Sequence, residues 1–282
     1  MELLAKWNPP HFAAQSAVPR ISFYYLFTAA SGGMELSMNI ILNGANGRMG
    51  KELRATIEKS EEMGIIAAID PGFELANAIQ MADFPIYDIG ADVIIDFSHH
   101  SAIYKVADYA EKFNVPVVLC TTGQTEEEIA EVHALAKKVP VFFSANMSMG
   151  VALLCELAKK STEVLPDAEI EIIEKHHSAK LDAPSGTALM LANAIKSVRD
   201  KLTFVLGRNG RRKREKNEIG IHAVRAGSIV GEHEVIFATK NEIITVSHSA
   251  MSRSVFADGA IAAAKWIKGK PAGMYTMQDL IK

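Results

Sequence analysis

From Met38 onward, short apolar runs alternate with amphipathic stretches, and this rhythm limits the chain to few architectures. MNIILNG (38–44) ends in glycine and is followed by RMGKELRATIEKS, in which Met49, Leu53 and Ile57 recur at helical spacing. IIAAID (65–70) and DVIIDFS (92–98) are further apolar runs, and SAIYKVADYAEKF after the latter again carries one apolar face. VPVVLCTTG, then TEEEIAEVHALAKK, then VPVFFSAN repeat the pattern, and Thr125 and Glu128 stand at capping-box spacing. Strands with no polar alternation, separated by helices, bury both faces. The expectation is an α/β fold with a doubly wound parallel sheet of the Rossmann type.

After GVALLCELAKKSTEVL the pattern changes. EIEIIEKHHS, a helix from about Gly186, and the runs LTFVLG, IGIHAVRAG, SIVGEHEVIFAT and NEIITVSHS alternate polar and apolar residues across short turns. This predicts a second, α+β domain with a mixed or antiparallel sheet, one face of which is available for packing. RSVFADGAIAAAKWIKG reads as a final helix returning to the first domain. The expected division is therefore 38–146 with 250–282 for the dinucleotide-binding part and 147–249 for the substrate-binding part, to which the family resemblance given below adds oligomerisation. Residues 1–37 lack any pattern that could pair with the sheet and read as an appended leader, expected to be disordered, with the working start at Met34 or Met38. Their apolar run begins too late to read well as a secretory signal.

Composition excludes some classes. Of 282 residues 49% are hydrophobic and 22% charged, with a net charge of -3, so the chain can bury a sizeable core and has no global bias toward nucleic acid or membrane. No run reaches the length of a membrane span. Cys120 and Cys155 sit in apolar company without histidines at metal-ligand spacing, which reads as buried thiols in a reducing cytoplasm. The basic run GRNGRRKREKNE lacks interleaved aromatics and reads as a solvated loop rather than a nucleic-acid surface. Adjacent His176 and His177 point apart on a strand and have no third ligand at metal spacing, so no metal site is expected.

Five segments carry chemistry. NGANGRMG places Gly44, Gly47 and Gly50 after a strand and at a helix start, where backbone N–H groups and the helix terminus attract a pyrophosphate. Asn46 and Met49 occupy the later glycine positions of the usual fingerprint, and Asn46 is expected to take a left-handed turn conformation there. Asp70 ends the second strand where a ribose-binding carboxylate belongs. CTTG (Thr121, Thr122, Gly123) and SANM (Ser144, Ala145, Asn146, Met147) lie at later strand ends, with side chains small enough to admit a nicotinamide ring. In EKHHSAKLDAPSGTA (174–188) a strand ends in a polar loop and a helix begins at Pro184–Thr187. Its free amides, the hydroxyls of Ser185 and Thr187 and the Lys180 ammonium form a carboxylate clamp, beside which a histidine can donate a proton.

EIIEKHHSAKLDAPSGTA, with GANGRMG upstream and VGEHEVIF downstream, resembles the dihydrodipicolinate reductases of bacterial lysine and diaminopimelate synthesis over 38–282. The match comprises an upstream glutamate (Glu171 or Glu174), then His176, Lys180, Asp182, Pro184, Ser185, Gly186, Thr187 and Ala188. The resemblance implies reduction of a cyclic unsaturated dicarboxylic imine, 4-hydroxy-tetrahydrodipicolinate, by NADH or NADPH in a cytoplasmic homotetramer. His176 would be the general acid and Lys180 the second catalytic residue. His177, Ser185, Gly186 and Thr187 would bind the dicarboxylate. Gly44, Asn46, Gly47, Arg48, Met49, Asp70, Thr121, Thr122, Gly123, Ser144, Ala145, Asn146 and Met147 would line the cofactor.

The chain departs from the family pattern at Cys120, where glycine is usual, and at Arg225-Ala226-Gly227-Ser228, where RGGD is usual. Neither departure is expected to touch the acid or the clamp. Pro71 stands where NADPH-using members often carry a basic residue, which leans toward NADH, although Arg48 and Lys51 are near enough to meet a 2′-phosphate. The rival from another class is a catalytically inactive, NAD(P)-sensing binding protein. It would need the glycine loop but not His176 with Lys180.

Overall fold

The structure, a computed structural model, describes residues 37–73 and 80–282, so the expected leader lies outside the described residues except for Ser37. The chain runs β1 (Met38–Asn43), α1 (Arg48–Ile57), β2 (Met63–Ile69), β3 (Gln80–Met81), β4 (Val93–Asp96), α2 (Ile103–Phe113), β5 (Val117–Leu119), α3 (Glu126–Ala136) and β6 (Pro140–Phe143). Helix α4 (Met149–Val164) leads to β7 (Glu169–His176), α5 (Gly186–Val198), β8 (Thr203–Leu206), β9 (Glu218–Arg225), β10 (Gly231–Ala238) and β11 (Ile243–Ala250). The chain ends in α6 (Ser254–Ile267), β12 (Gly273–Tyr275) and the single turn α7 (Met277–Leu280).

Seven strands form a wholly parallel sheet in the order β12-β6-β5-β4-β1-β2-β3. Alternate residues of each strand go to opposite faces, and both faces are covered. Ile40, Leu42, Val93, Ile95, Val118 and Phe142 pack against α1 and α6. Ile41, Ile94, Val117, Leu119 and Val141 pack against α2 and α3. Burial on both sides is why these strands read as unbroken apolar runs. Helix α3 starts on the capping box read from the sequence, with Thr125 accepting from the Glu128 N–H. The final helix does return to this sheet and brings with it β12, which the sequence pattern did not distinguish from a tail; β3 was likewise too short to read.

The second sheet has the order β11-β10-β7-β9-β8 and is mixed: β10 runs antiparallel to both its neighbours, while β7, β9 and β8 run parallel. Its inner face packs Ile170, Ile172, Ile219, Ile221, Val235 and Phe237 against Leu154, Ala158, Leu191 and Ile195 of α4 and α5. Strands β8 and β9 are parallel neighbours joined by the basic run rather than by a helix. That run is exposed, as its composition implied, except at half-buried Arg214. Arg208 and Arg212 pair with Glu218, and Arg208 and Arg214 with Glu171, so part of its charge is paired within the domain. The hydrogen bonds from Arg208 and then Arg212 hold the Glu218 carboxyl down to about 2.

Helix α6 reaches the end of β6 so closely that a Cβ on Gly259 would lie 1.7 Å from the Met147 carbonyl oxygen. Gly259→Ala must therefore push the helix off the 144–148 segment. The expected cost is about 1–3 kcal/mol, the usual scale for overpacking, seen as a lower thermal midpoint by circular dichroism. An unchanged midpoint would contradict this packing.

Candidate active site

All five predicted ligand segments emerge at the carboxyl ends of the parallel strands or directly beside them. After β1, Gly44 takes φ +79°, and its missing Cβ would meet the Phe97 and Ser98 backbone at 2.7 Å. A Cβ on Gly50 would lie 2.2 Å from the Gly44 carbonyl oxygen. These two glycines let the turn close onto both β4 and the first turn of α1, leaving residues 46–48 exposed as a cradle at the helix start, with the Gly47 N–H on the Gly44 carbonyl. The left-handed residue of the turn is thus Gly44; Asn46, expected to play that part, has a negative φ. Asp70 is already aimed at the cradle, accepting from the Asn46 N–H at 3.0 Å and the Gly72 N–H at 2.9 Å. Met49 packs on the core beneath, and Arg48 is exposed at the helix start.

Below the glycine turn lies a group that the sequence pattern did not single out. Asn43 and Asp96 end β1 and β4 side by side, and Asp96 accepts from Asn43 Nδ2 at 2.9 Å and Ser98 Oγ at 2.6 Å. Burial, only partly offset by these bonds, pushes the Asp96 carboxyl up to about 6. Next to it His99 and His100 stack with ring centroids 3.9 Å apart, and His100 Nδ1 contacts Glu128 at 2.7 Å. Thr121 is buried, whereas Thr122 and Gly123 are exposed at the end of β5. Cys120 is a buried thiol, pushed well up by burial and then by Asp96.

The end of β6 meets the start of α5 directly: Asn146 Nδ2 donates to Thr187 Oγ1 at 2.8 Å. Ser144 Oγ caps the same turn by donating to the Asn146 carbonyl, Ala145 is exposed, and Met147 is buried under α6. One hydrogen bond therefore joins the segment assigned to the cofactor to the segment assigned to the dicarboxylate.

The HHSAK loop is organised by Glu174, whose side chain is fully buried. Glu174 and His176 are two apart on β7 and so share its inner face. His176 Nδ1 lies 2.6 Å from Glu174 Oε2. Arg225 places both terminal nitrogens on the same carboxylate, at 2.8 and 2.7 Å, and the Ser185 N–H donates to it at 3.0 Å. Burial alone would raise the Glu174 carboxyl; the Arg225 fork, His176 and the Ser185 N–H together hold it below the usual range. Between the two glutamates left open by the sequence, the structure selects Glu174. Glu171 points to the other face and contacts His222 and the basic loop.

His176 Nε2 has no hydrogen-bond partner among the described residues, and it faces Gly231, where a Cβ would stand 3.1 Å from it. The ring of His233 meets His176 edge-on with centroids 5.2 Å apart. Burial, and next the charge at His176, pushes His233 down to about 4, so of the two rings His233 stays neutral near pH 7. The Ser185 hydroxyl caps α5 by accepting from the Ala188 N–H and shares a hydrogen bond of 3.1 Å with His233 Nε2. With its N–H on Glu174 as well, Ser185 is buried at the helix start, whereas Gly186 is exposed and Thr187 and Lys180 are half-buried. Lys180 Nζ lies 2.6 Å from Asp182 Oδ1, and His177 is half-buried beside it with its carbonyl accepting the Lys180 N–H.

The Arg225–Ser228 segment supports the acid through Arg225, which matches the family pattern, and through backbone groups, while its two departing positions, Ala226 and Ser228, bring no side chain to it. Besides Arg225 on Glu174, the Ala226 N–H donates to the His176 carbonyl and the Ser178 N–H to that of Gly227.

A parallel nucleotide-type sheet carrying a glycine cradle, joined to a mixed sheet that presents a carboxylate-held histidine and a cationic clamp, defines a two-domain oxidoreductase of the dinucleotide-binding class. Residues 38–147 match the model of the dihydrodipicolinate reductase N-terminus and 150–281 that of its C-terminus, so the chain belongs to the dihydrodipicolinate reductase family. It is 48% identical to the 4-hydroxy-tetrahydrodipicolinate reductase of Caldanaerobacter subterraneus subsp. tengcongensis, over 88% of this chain and 99% of that one. It is also 48% identical to the enzyme of that name from Clostridium novyi, over 86% and 98%. Among solved structures, a dipicolinate-bound dihydrodipicolinate reductase from Paenisporosarcina sp. TG-14 superposes with a TM-score of 0.70 at 24% identity, covering 86% of this chain and 98% of that one. Among the described residues no cluster of three or more potential metal ligands occurs, and no helix is long and apolar enough to cross a membrane.

His233 makes a checkable contribution to stability. Its folded value is below the unfolded one, so the unfolded chain binds the extra proton. Its share is fully present above about 6.5 and is lost as pH falls toward 4. The thermal midpoint of the wild type should therefore fall more steeply across this window than that of His233→Gln. Parallel curves would show that His233 is not held neutral by the fold.

Proposed function

We propose that this chain reduces 4-hydroxy-tetrahydrodipicolinate to tetrahydrodipicolinate with a nicotinamide cofactor, in lysine and diaminopimelate biosynthesis, the 4-hydroxyl leaving as water to give the conjugated imine to which hydride and proton then add. The observation that carries the reading is His176: one ring nitrogen is locked on a buried carboxylate, and the other has no partner among the described residues and faces Gly231. A catalytically inactive sensor would have no use for such an arrangement.

The cradle at Gly44, Asn46, Gly47 and Arg48 fits a pyrophosphate. Met49 lies beneath it, and Asp70 is placed for the ribose hydroxyls. Thr121, Thr122, Gly123 and Ser144–Met147 border the space left for the nicotinamide, which when bound supplies a hydride to the substrate ring. Negative charge then develops on the ring nitrogen and the adjoining carbon. Protonated His176 delivers its Nε2 proton there and remains neutral with its Nδ1 proton on Glu174. Lys180 exchanges Asp182 for a substrate carboxylate, which also takes the Gly186 and Thr187 amides at the start of α5, while His177 borders the same carboxylate.

Asp70 in front of the cradle, followed by Pro71, favours NADH over NADPH, because a 2′-phosphate would meet a carboxylate. The enzyme works in the cytoplasm as a homotetramer assembled through the outer face of the second sheet. That face carries Val224, and the adjoining edge strands carry Leu206 and Ile243, all exposed in one chain. Light scattering reading the mass of a single chain would remove the tetramer.

The direct test follows nicotinamide absorbance when the protein meets the freshly condensed product of pyruvate and aspartate semialdehyde. Oxidation with NADH or NADPH is expected, and none with either would overturn the proposal. His176→Ala should lower kcat by about 100- to 10,000-fold with little change in KM. Lys180→Ala should raise KM and lower kcat together, because a misplaced ring spoils hydride alignment. Near-normal kcat in His176→Ala would transfer the acid role elsewhere. For the cofactor, Asp70→Ala should weaken NADH more than NADPH, and equal effects on both Michaelis constants would take Asp70 out of the ribose site.

A further inference from the structure

Four donors converge on one carboxylate in the interior of the second domain. Glu174 accepts from His176 Nδ1, from both terminal nitrogens of Arg225 and from the Ser185 N–H, and has no exposure to water. A buried ion pair is a poor source of net stability, since apolar side chains of similar volume often serve as well. Glu174 instead lies at the one place where a histidine needs a fixed proton.

The strand register explains how the group forms. His176 and Arg225 face each other in the parallel β7–β9 ladder, while Glu174 faces Ala223. The Arg225 guanidinium therefore reaches back along β7 to the carboxylate, leaving Glu174 between it and the imidazole. The same guanidinium donates to the Asp182 carbonyl at 2.6 Å, in the loop that carries Lys180. Arg225 thus touches the support of the acid and the support of the clamp at once.

We propose that Glu174, held by Arg225, is a positioning residue for proton transfer: it keeps the His176 proton on Nδ1 in the neutral ring, aims Nε2 at the substrate, and balances the imidazolium before transfer. This rests on His176 being the proton donor. As a neutral base Nε2 recovers its proton from solvent after each turnover, and Nδ1 never exchanges roles with it because its only acceptor is the carboxylate. Glu174→Gln keeps the shape, but its amide nitrogen opposes the Arg225 fork and the side chain no longer neutralises the imidazolium. Arg225→Lys keeps the charge and loses the two-pronged grip.

The test is a double-mutant cycle read by steady-state kinetics, with NADH affinity measured by fluorescence titration as the check on folding. Glu174→Gln alone should lower kcat by roughly 10- to 100-fold while KM and NADH affinity stay within about threefold. In a His176→Ala background the same change should lower kcat by less than about twofold, because a residue that acts through His176 has nothing left to act on. Arg225→Lys should show the same dependence on His176 with a smaller loss, and it carries the test alone if Glu174→Gln fails to bind NADH. Nitrogen NMR of labelled histidine should find the Nδ1–H tautomer in the wild type and a mixture in Glu174→Gln. Equal losses in both backgrounds, or an unchanged tautomer, would overturn the proposal and reduce Glu174 to a structural ion pair. Full activity in His176→Ala would instead overturn the assignment of the acid on which it rests.

Discussion

A carboxylate buried at the end of β7 governs the geometry of the second domain. Removing Glu174 would leave Arg225, the Ser185 amide and His176 without their acceptor, and each of these fixes a different element: β9 and the loop after it, the start of α5, and the HHSAK loop. The burial that makes the ion costly is offset by the four donors on Glu174, although Arg225 Nε and His233 Nδ1 are buried without a partner. The consequence is chemical as well as structural. Two histidine rings in edge contact meet different surroundings, since His233 is desolvated and bonded to a neutral hydroxyl while His176 faces an anion.

The two sheets communicate through few contacts. Asn146 on Thr187 ties the end of β6 to the start of α5, and a looser approach of Ser148 Oγ to His248 Nε2, at 3.4 Å, ties the start of α4 to β11. A Cβ on Gly150 would stand 2.7 Å from the His248 ring, so α4 and β11 are in close contact there. These links lie at the strand ends where ligands of open parallel sheets bind. A ligand bridging the glycine cradle and the Lys180 clamp would span the same junction, which makes hydride delivery a matter of how the two sheets are set.

Much of this was legible in the residues. Unbroken apolar strands and amphipathic helices announced a sheet buried on both sides, and alternation in the second half announced one with a face to spare. Glycines at 44 and 50, Asp70 and the run from His176 to Thr187 stood out because their chemistry is local: a backbone without Cβ, a carboxylate at a strand end, a helix start rich in donors. What could not be read depends on partners distant in sequence. Arg225 and His233 reach Glu174 and Ser185 across about fifty positions, and nothing in VRAG or GEHEV alone says that their side chains turn inward. The Ser185 hydroxyl looked free until His233 was seen beside it. The basic loop is exposed as it read, but its carboxylate partners, Glu171 and Glu218, belong to strands that only the fold brings beneath it. Strands of two or three residues at the sheet edges carry too few side chains for a period to show.

The most direct measurement of the account is a crystal structure of the protein with NADH and a planar pyridine dicarboxylate bound together. One carboxylate should lie on Lys180 Nζ and the Gly186 and Thr187 amides, with Asp182 displaced. His176 Nδ1 should remain on Glu174, with Nε2 toward the ring and the nicotinamide on the opposite side beside Gly123 and Ala145. A dicarboxylate seated away from the start of α5, or a His176 ring turned so that Nδ1 leaves Glu174, would contradict it.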